Sequence, residues 1–158
     1  MDDTKETIIY VVFGIALAFF INQGLAFAFS TDMPVVAVES NSMIPAFYKG
    51  DILIISGQKN YEVGDVIVFS PTSSSTPIVH RVIKVNNDNT LQTMGDANNG
   101  MQLPFEKSIT YDQIHGKMIL KIPYLGWVKI GLMEYIAPNI LLIVLILVPL
   151  TIIYIKFR

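Results

Sequence analysis

Cysteine is absent from this chain of 158 residues, and charged residues are scarce. Without thiols the protein has no disulfide bonds, no thiolate nucleophile and no cysteine-ligated metal site. Charged residues make up 15% of the sequence and the net charge is −2, which excludes the basic surface that nucleic-acid binding requires. Two histidines are present, so few side chains can accept a proton near neutral pH.

Apolar residues are abundant instead, at 52% of the chain, which is more than an ordinary soluble domain contains. Residues 8–29 provide 22 positions without a charge, and about 20 apolar residues cross the hydrocarbon core of a bilayer. We expect this run to be a transmembrane helix. A cleaved signal peptide is the alternative, but its apolar core is typically only about 7–15 residues long.

A second uncharged run, residues 136–155, is followed by Lys156 and Arg158. Cations just beyond a span favour the cytoplasmic side. We therefore expect two transmembrane helices, with both termini in the cytoplasm and the domain between the helices outside it. The expected boundaries are residues 1–7, 8–29, 30–135, 136–155 and 156–158.

Between the two runs, short segments rich in Val and Ile alternate with turn residues such as Gly, Pro, Asn and Asp. This spacing predicts a mainly β fold, a small antiparallel sheet or barrel-like domain flanked by the two helices. The predicted strands are residues 35–39, 51–56, 65–69, 78–85, 90–94 and 117–122.

Three side chains are candidate catalytic groups. Two follow the end of one predicted strand, and the third lies within another. His80 lies in the predicted strand 78–85, where a histidine is more often a structural hydrogen-bonding residue than a base. Ser40 and Ser42 directly follow the first predicted strand, and Pro45 restricts the backbone beside them. This arrangement fits a nucleophile held in a turn, and it also fits a strand-exit turn whose hydroxyls cap backbone groups.

The carboxylates include two candidates for an orienting acid. Gly-Asp pairs act as turns before strands in this domain, but the pair that ends in Asp96 continues into polar turn residues. The Asp96 carboxylate is therefore more available to orient another side chain. Asp112 is the second candidate.

Four sequence blocks, in this order behind an apolar N-terminal run, resemble type I signal peptidase, peptidase family S26. A histidine at position 80, where most bacterial members have lysine, places the resemblance in the archaeal and endoplasmic-reticulum branch. The blocks are Ser42-Met43-x-Pro45, Gly50-Asp51, His80-Arg81-Val82 and Gly95-Asp96 followed by Asn98-Asn99.

The resemblance implies a role for each candidate residue. Ser42 matches the nucleophile, His80 the general base and Asp96 the acid. The Ser40 hydroxyl and the Ser42 backbone N–H match the oxyanion hole, and no metal or cofactor is implied. Close relatives often carry a further aspartate six residues after Asp96, where this chain has Gln102. Three options follow, in this order: Asp96 orients His80, Asp112 does so, or the enzyme works with a Ser-His dyad.

The resemblance also implies a substrate and a location. Such an enzyme removes N-terminal signal peptides from secreted preproteins at the outer membrane surface, and Ser42 lies only 13 residues beyond the first expected span. The implied partners are preproteins with signal peptides, the lipid bilayer and accessory membrane subunits. The implied location is the cell membrane of a prokaryote, or the endoplasmic reticulum membrane in a eukaryote.

Three other interpretations compete with this one. In the first, the chain is a catalytically inactive signal-peptidase-like subunit. In the second, it is a membrane scaffold that binds an extracytoplasmic partner. A self-cleaving repressor-type protease has a related fold but uses a lysine base, for which Lys84 is the candidate. Two apolar runs together with His80 disfavour that last interpretation.

Overall fold

The computed structural model describes residues 3–72 and 76–139. A single long helix, α1 (Asp3–Ala28), comes first. Within these ranges it is the one helix long and apolar enough to cross a membrane, and none of it is buried against the rest of the protein. The expected second span lies almost wholly in residues 140–155, outside the described residues.

Six antiparallel strands form one sheet with the order β1-β2-β6-β3-β4-β5. The mainly β prediction is confirmed, and each predicted strand corresponds to an observed one. The strands are β1 (Val35–Ala37), β2 (Ile52–Ser56), β3 (Val66–Phe69), β4 (Ile78–Val85), β5 (Leu91–Met94) and β6 (Ile114–Ile122).

Strand β6 begins three residues earlier than predicted because a glycine continues the strand where a turn was expected. Gly116 pairs with Val68 of β3, and its φ of +153° lies in the range that favours glycine. A Cβ at this position would lie 2.6 Å from the backbone oxygen of Ser56 on the other neighbouring strand. The glycine therefore permits a close approach of backbones within the sheet rather than ending the strand.

Both faces of the central strand β3 are buried. Val66 and Val68 belong to one apolar cluster, whereas Ile67 and Phe69 belong to another, as expected from side chains that alternate along a strand. The first cluster also contains Met43 and Phe47 from the segment between β1 and β2, and both are 1% exposed. The core thus holds that segment, which contains Ser40 and Ser42.

The ends of the same segment, residues 38–51, which we call the serine loop, are joined by backbone hydrogen bonds. The Val38 N–H donates to the Asp51 carbonyl and the Gly50 N–H to the Val38 carbonyl, each over 2.9 Å. The buried Asp51 carboxylate accepts hydrogen bonds from the N–H groups of Tyr48 at 3.0 Å and Tyr124 at 3.2 Å. The loop is therefore closed and tied to the chain that follows β6.

That following chain forms a short helical segment beside the serine loop. It comprises α2 (Trp127–Ile130), a π-helical turn (Gly131–Ile136) and a 3-10 turn (Ala137–Asn139). Lys129 pairs with Glu39 at 3.1 Å, and Lys49 pairs with Glu134 at 2.9 Å. Trp127 packs against Gly50 while remaining 44% exposed, so it is neither a core residue nor a free one.

We expect Ile67→Ala to lower the free energy of unfolding by about 2–5 kcal/mol, because it leaves a cavity under a fully buried side chain. The control Ile83→Ala changes a residue of β4 that is 38% exposed and should cost less than about 1 kcal/mol. Urea unfolding in detergent, followed by Trp127 fluorescence, measures both. Equal losses in the two variants would contradict the described core.

Candidate active site

Ser42 and His80 meet across the sheet. The Ser42 Oγ lies 3.1 Å from His80 Nε2, although the two residues are 38 positions apart in the chain. His80 pairs with Ile67 of the central strand and is 4% exposed, whereas Ser42 is half-buried in the serine loop. A rigid strand therefore presents the imidazole to a hydroxyl that solvent can reach.

A second hydroxyl lies beside the first. Ser40 Oγ is 3.2 Å from Ser42 Oγ, and Ser40 is exposed. The Ser42 carbonyl accepts a hydrogen bond from the Ala97 N–H at 2.9 Å, which fixes the backbone of the serine on its other side. The two hydroxyls and His80 thus form one polar cluster at the protein surface.

Glu106 is the carboxylate that contacts His80. Its Oε1 pairs with His80 Nδ1, the ring nitrogen opposite to the one that faces Ser42. The Thr93 hydroxyl donates to the same oxygen over 3.2 Å, and the Leu103 N–H donates to Oε2 over 2.8 Å. Glu106 is fully buried. Serine, imidazole and carboxylate therefore lie in one hydrogen-bonded line.

Asp96 does not occupy the place that the sequence predicts for it. Its carboxylate binds Arg81 with two hydrogen bonds, from Nε at 2.9 Å and from Nη2 at 2.6 Å. This pair raises the pKa of Arg81 above its ordinary value. Arg81 and His80 are neighbours on β4, so their side chains point to opposite faces of the sheet. The partner of Arg81 is consequently on the wrong face to orient His80.

The observed geometry also does not match the two other options, Asp112 as the acid and a Ser-His dyad. Asp112 is exposed in the 3-10 turn (Tyr111–Gln113) that precedes β6, whereas Glu106 holds the position beside the imidazole. A dyad does not describe a histidine with a carboxylate on its second nitrogen. The sequence does not single out Glu106, because its two candidate acids are Asp96, in a Gly-Asp turn, and Asp112. The sequence signal for Glu106 is a charged residue directly after the apolar residues 103–105.

A second serine–histidine–carboxylate line exists elsewhere in the domain. His115 contacts Ser70 Oγ with Nε2 at 2.8 Å and Asp32 with Nδ1 at 2.8 Å. The Asp32 side chain is largely exposed. A cavity beside His115 is lined by residues such as Lys59 and Tyr61, but Ser70 is not among them. This line joins the chain after α1 to the end of β3 and to β6, and its serine does not line the cavity.

A groove of about 600 Å³ opens beside Ser42 and His80. One wall is β1, which pairs with β2 on one side only, and the other wall is the start of β4. The groove is mostly apolar, lined by side chains such as Val36, Phe47 and Ile78. An edge strand with unpaired backbone groups can bind an extended peptide as an additional strand. The described residues contain no group of three or more His, Asp or Glu that would hold a metal ion.

Comparison with known proteins agrees with this geometry. A family profile described as Peptidase S24-like matches residues 19–119. A signal peptidase complex catalytic subunit, sec11, of Dictyostelium discoideum is 32% identical over 130 residues, covering 77% of this chain and 73% of the relative. The corresponding subunit SEC11 of Saccharomyces cerevisiae is 36% identical over 139 residues, covering 82% of this chain and 83% of the relative.

The chain belongs to the type I signal peptidase family of serine hydrolases. The match to the family profile spans the serine loop, β4 and the turn that carries Glu106. Membership thus covers every residue of the line from Ser42 to Glu106.

Gly95 provides a test of how tightly this signal peptidase site is packed. A Cβ on Gly95 would lie 2.7 Å from the Ser42 carbonyl oxygen and 2.9 Å from His80 Nε2. We expect Gly95→Ala to displace one of them and to lower kcat by about 100-fold, the cost of a misplacement of roughly 1 Å. The control Gly131→Ala meets nothing within 4 Å and should keep the wild-type kcat. Peptide-cleavage kinetics measure both, and a wild-type kcat for a folded Gly95→Ala would contradict the packing.

Proposed function

We propose that this protein removes N-terminal signal peptides from preproteins, with Ser42 as nucleophile and His80 as general base. The observation that carries the proposal is the 3.1 Å contact between Ser42 Oγ and His80 Nε2 at an open apolar groove. Membership of the signal peptidase family supports the substrate class. The relatives are described as catalytic subunits, and this chain retains both a serine and a histidine in hydrogen-bond contact.

In the first chemical step, Ser42 Oγ attacks the carbonyl carbon of the scissile peptide bond while His80 Nε2 takes the hydroxyl proton. The carbonyl oxygen becomes an oxyanion, and we assign the Ser40 hydroxyl and the Ser42 N–H as its donors. Protonated His80 then gives the proton to the leaving amine as the C–N bond breaks. Water, activated by the same imidazole, hydrolyses the ester on Ser42 and releases the signal peptide. Each oxyanion donor is expected to contribute about 10²–10³ in rate.

The groove suits the segment of a signal peptide that precedes the cut. That segment is short and extended and carries small residues, while the apolar core of the signal peptide remains in the bilayer. β1 offers its free edge for backbone pairing, and apolar groove residues such as Val36 and Phe47 leave room for small side chains. We expect a preference for alanine-like residues at the first and third positions before the cut.

The proposed location rests on the two apolar runs of the sequence. We propose that α1 and residues 136–155 both span the membrane, with residues 30–135 on the side away from the cytoplasm. α1 is apolar, and none of the residues in its membrane-length stretch is buried in the protein, which is expected of a helix surrounded by lipid. Ser42 then lies close to the membrane surface from which a signal peptide emerges. Because the relatives are subunits of signal peptidase complexes, we include accessory membrane subunits among the partners.

The absence of native cysteine allows a direct test of this topology. Lys84→Cys introduces a thiol at an exposed position of β4, and Lys5→Cys introduces one near the start of α1. When the protein is expressed in the cell membrane of bacteria, we expect an impermeant maleimide to label the cysteine at position 84 in intact cells. The cysteine at position 5 should react only after lysis. Labelling in the reverse order would contradict the proposed orientation.

The proposed activity is tested with a preprotein that carries an Ala-x-Ala site and the full-length protein in detergent. We expect cleavage at that site by the wild type and no detectable cleavage by Ser42→Ala. The matched control is Ser70→Ala, which removes the hydroxyl of the second serine–histidine pair and should retain cleavage. If the folded wild type does not cut, the inactive-subunit and scaffold interpretations replace the proposal. If Ser70→Ala alone abolishes cleavage, the wrong site has been assigned.

A further inference from the structure

We infer that Glu106 is the acid that positions His80, that Thr93 holds its carboxylate in place, and that Gln102 holds its backbone in place. The inference rests on the proposed function, because it concerns the base of that reaction. It replaces Asp96 and Asp112, which the sequence favours. The supporting observations are the burial of Glu106, its hydrogen-bond partners and the geometry of the turn that carries it.

The first observation is that both carboxylate oxygens have partners. Oε1 faces His80 Nδ1 and the Thr93 hydroxyl, and Oε2 accepts the Leu103 N–H. A fully buried carboxyl group is costly unless its oxygens are hydrogen-bonded, and both oxygens of Glu106 are. The site therefore holds the carboxyl group in contact with the imidazole.

The second observation is that the turn fixes the side chain's direction. Glu106 ends a 3-10 turn (Pro104–Glu106) with proline at its first position, which presets the backbone there. The Glu106 N–H donates to the Leu103 carbonyl at 3.0 Å, while the Leu103 N–H donates back to the carboxylate at 2.8 Å. This reciprocal pair orients one oxygen into the turn, so the other oxygen points at His80.

The third observation is that Gln102 joins the turn to the sheet. Its Nε2 donates to the Thr93 carbonyl at 3.0 Å and to the Glu106 carbonyl at 3.1 Å. Thr93 lies on β5 and pairs with Val82 of β4, the strand that carries His80. Gln102 thus fixes the distance between the turn and the strand with the imidazole. Gln102 occupies the position where relatives often carry an aspartate, and here it holds the turn that carries Glu106, four positions later.

These contacts determine which nitrogen of His80 carries the proton. A carboxylate on Nδ1 retains the proton there in the neutral imidazole, which leaves the Nε2 lone pair directed at Ser42. When His80 accepts the serine proton, the same carboxylate stabilises the positive ring. Glu106 touches neither the substrate nor Ser42, so its role is to position the base and stabilise its charged form.

The test compares Glu106→Gln with the wild type in the preprotein cleavage assay across a range of pH. The amide keeps the size of the side chain but removes the charge and permits the wrong tautomer. We expect kcat to fall by about 10³–10⁴-fold with little change in KM, as for the corresponding change in a serine protease triad. The acidic limb of kcat/KM should move to lower pH, because the protonated ring loses its counter-charge. Asp112→Asn makes the same charge change at an exposed position, and it should alter neither kcat nor the acidic limb of kcat/KM.

Two further variants keep the inference open to refutation if Glu106→Gln does not fold. Glu106→Asp retains the charge but shortens the side chain, and it should keep the wild-type acidic limb while kcat falls. Thr93→Val removes one donor to the carboxylate, and the loss of a hydrogen bond to a charged group predicts a decrease in kcat of about 10-fold or more. A folded Thr93→Val or Glu106→Gln with the wild-type kcat and pH profile would overturn the inference. Failure of the proposed function looks different, because the wild type itself then does not cleave.

Discussion

The contact between His80 and the buried carboxylate of Glu106 constrains the whole domain. His80 must lie on a strand with a neighbour on each side, because only a fixed imidazole can face a carboxylate on one edge and a hydroxyl on the other. β4 provides this position between β3 and β5. β5 and the turn after it must then cover the carboxylate, since water would weaken the interaction between the two groups. The placement of β4 between β3 and β5 thus provides what the base needs.

The serine loop meets the same constraint from the opposite side. Ser42 must be held in a fixed position beside His80, yet it must remain accessible to a peptide. The loop achieves both because the next residue, Met43, and the nearby Phe47 are buried in the core, while Ser40 and Ser42 face the groove. Hydrogen bonds at its base and the ion pairs Lys49–Glu134 and Lys129–Glu39 join it to the chain that leaves the domain. Exposed ion pairs contribute little to stability, so the buried apolar anchors dominate.

The sequence predicts much of this arrangement and misses one part of it for a physical reason. Strands β2 to β5 begin and end within one residue of the predicted runs, because the signal, Val and Ile between turn residues, is local. The meeting of Ser42 with His80 follows from a motif resemblance. The acid was not predictable in the same way, since the burial of Glu106 depends on contacts between distant segments. Asp96 had the more conspicuous turn, but side-chain alternation on β4 directs its partner Arg81 away from the site.

Nitrogen NMR of histidine in the resting, full-length protein tests the contact between His80 and Glu106 most directly. The chain contains only two histidines, and the His115→Ala variant leaves the signal of His80 alone. At a pH where the ring is neutral, we expect a proton on Nδ1, hydrogen-bonded to Glu106, and an unprotonated Nε2 that faces Ser42. A ring with its proton on Nε2 would contradict the proposed roles of His80 and Glu106, because that nitrogen could not accept the serine proton.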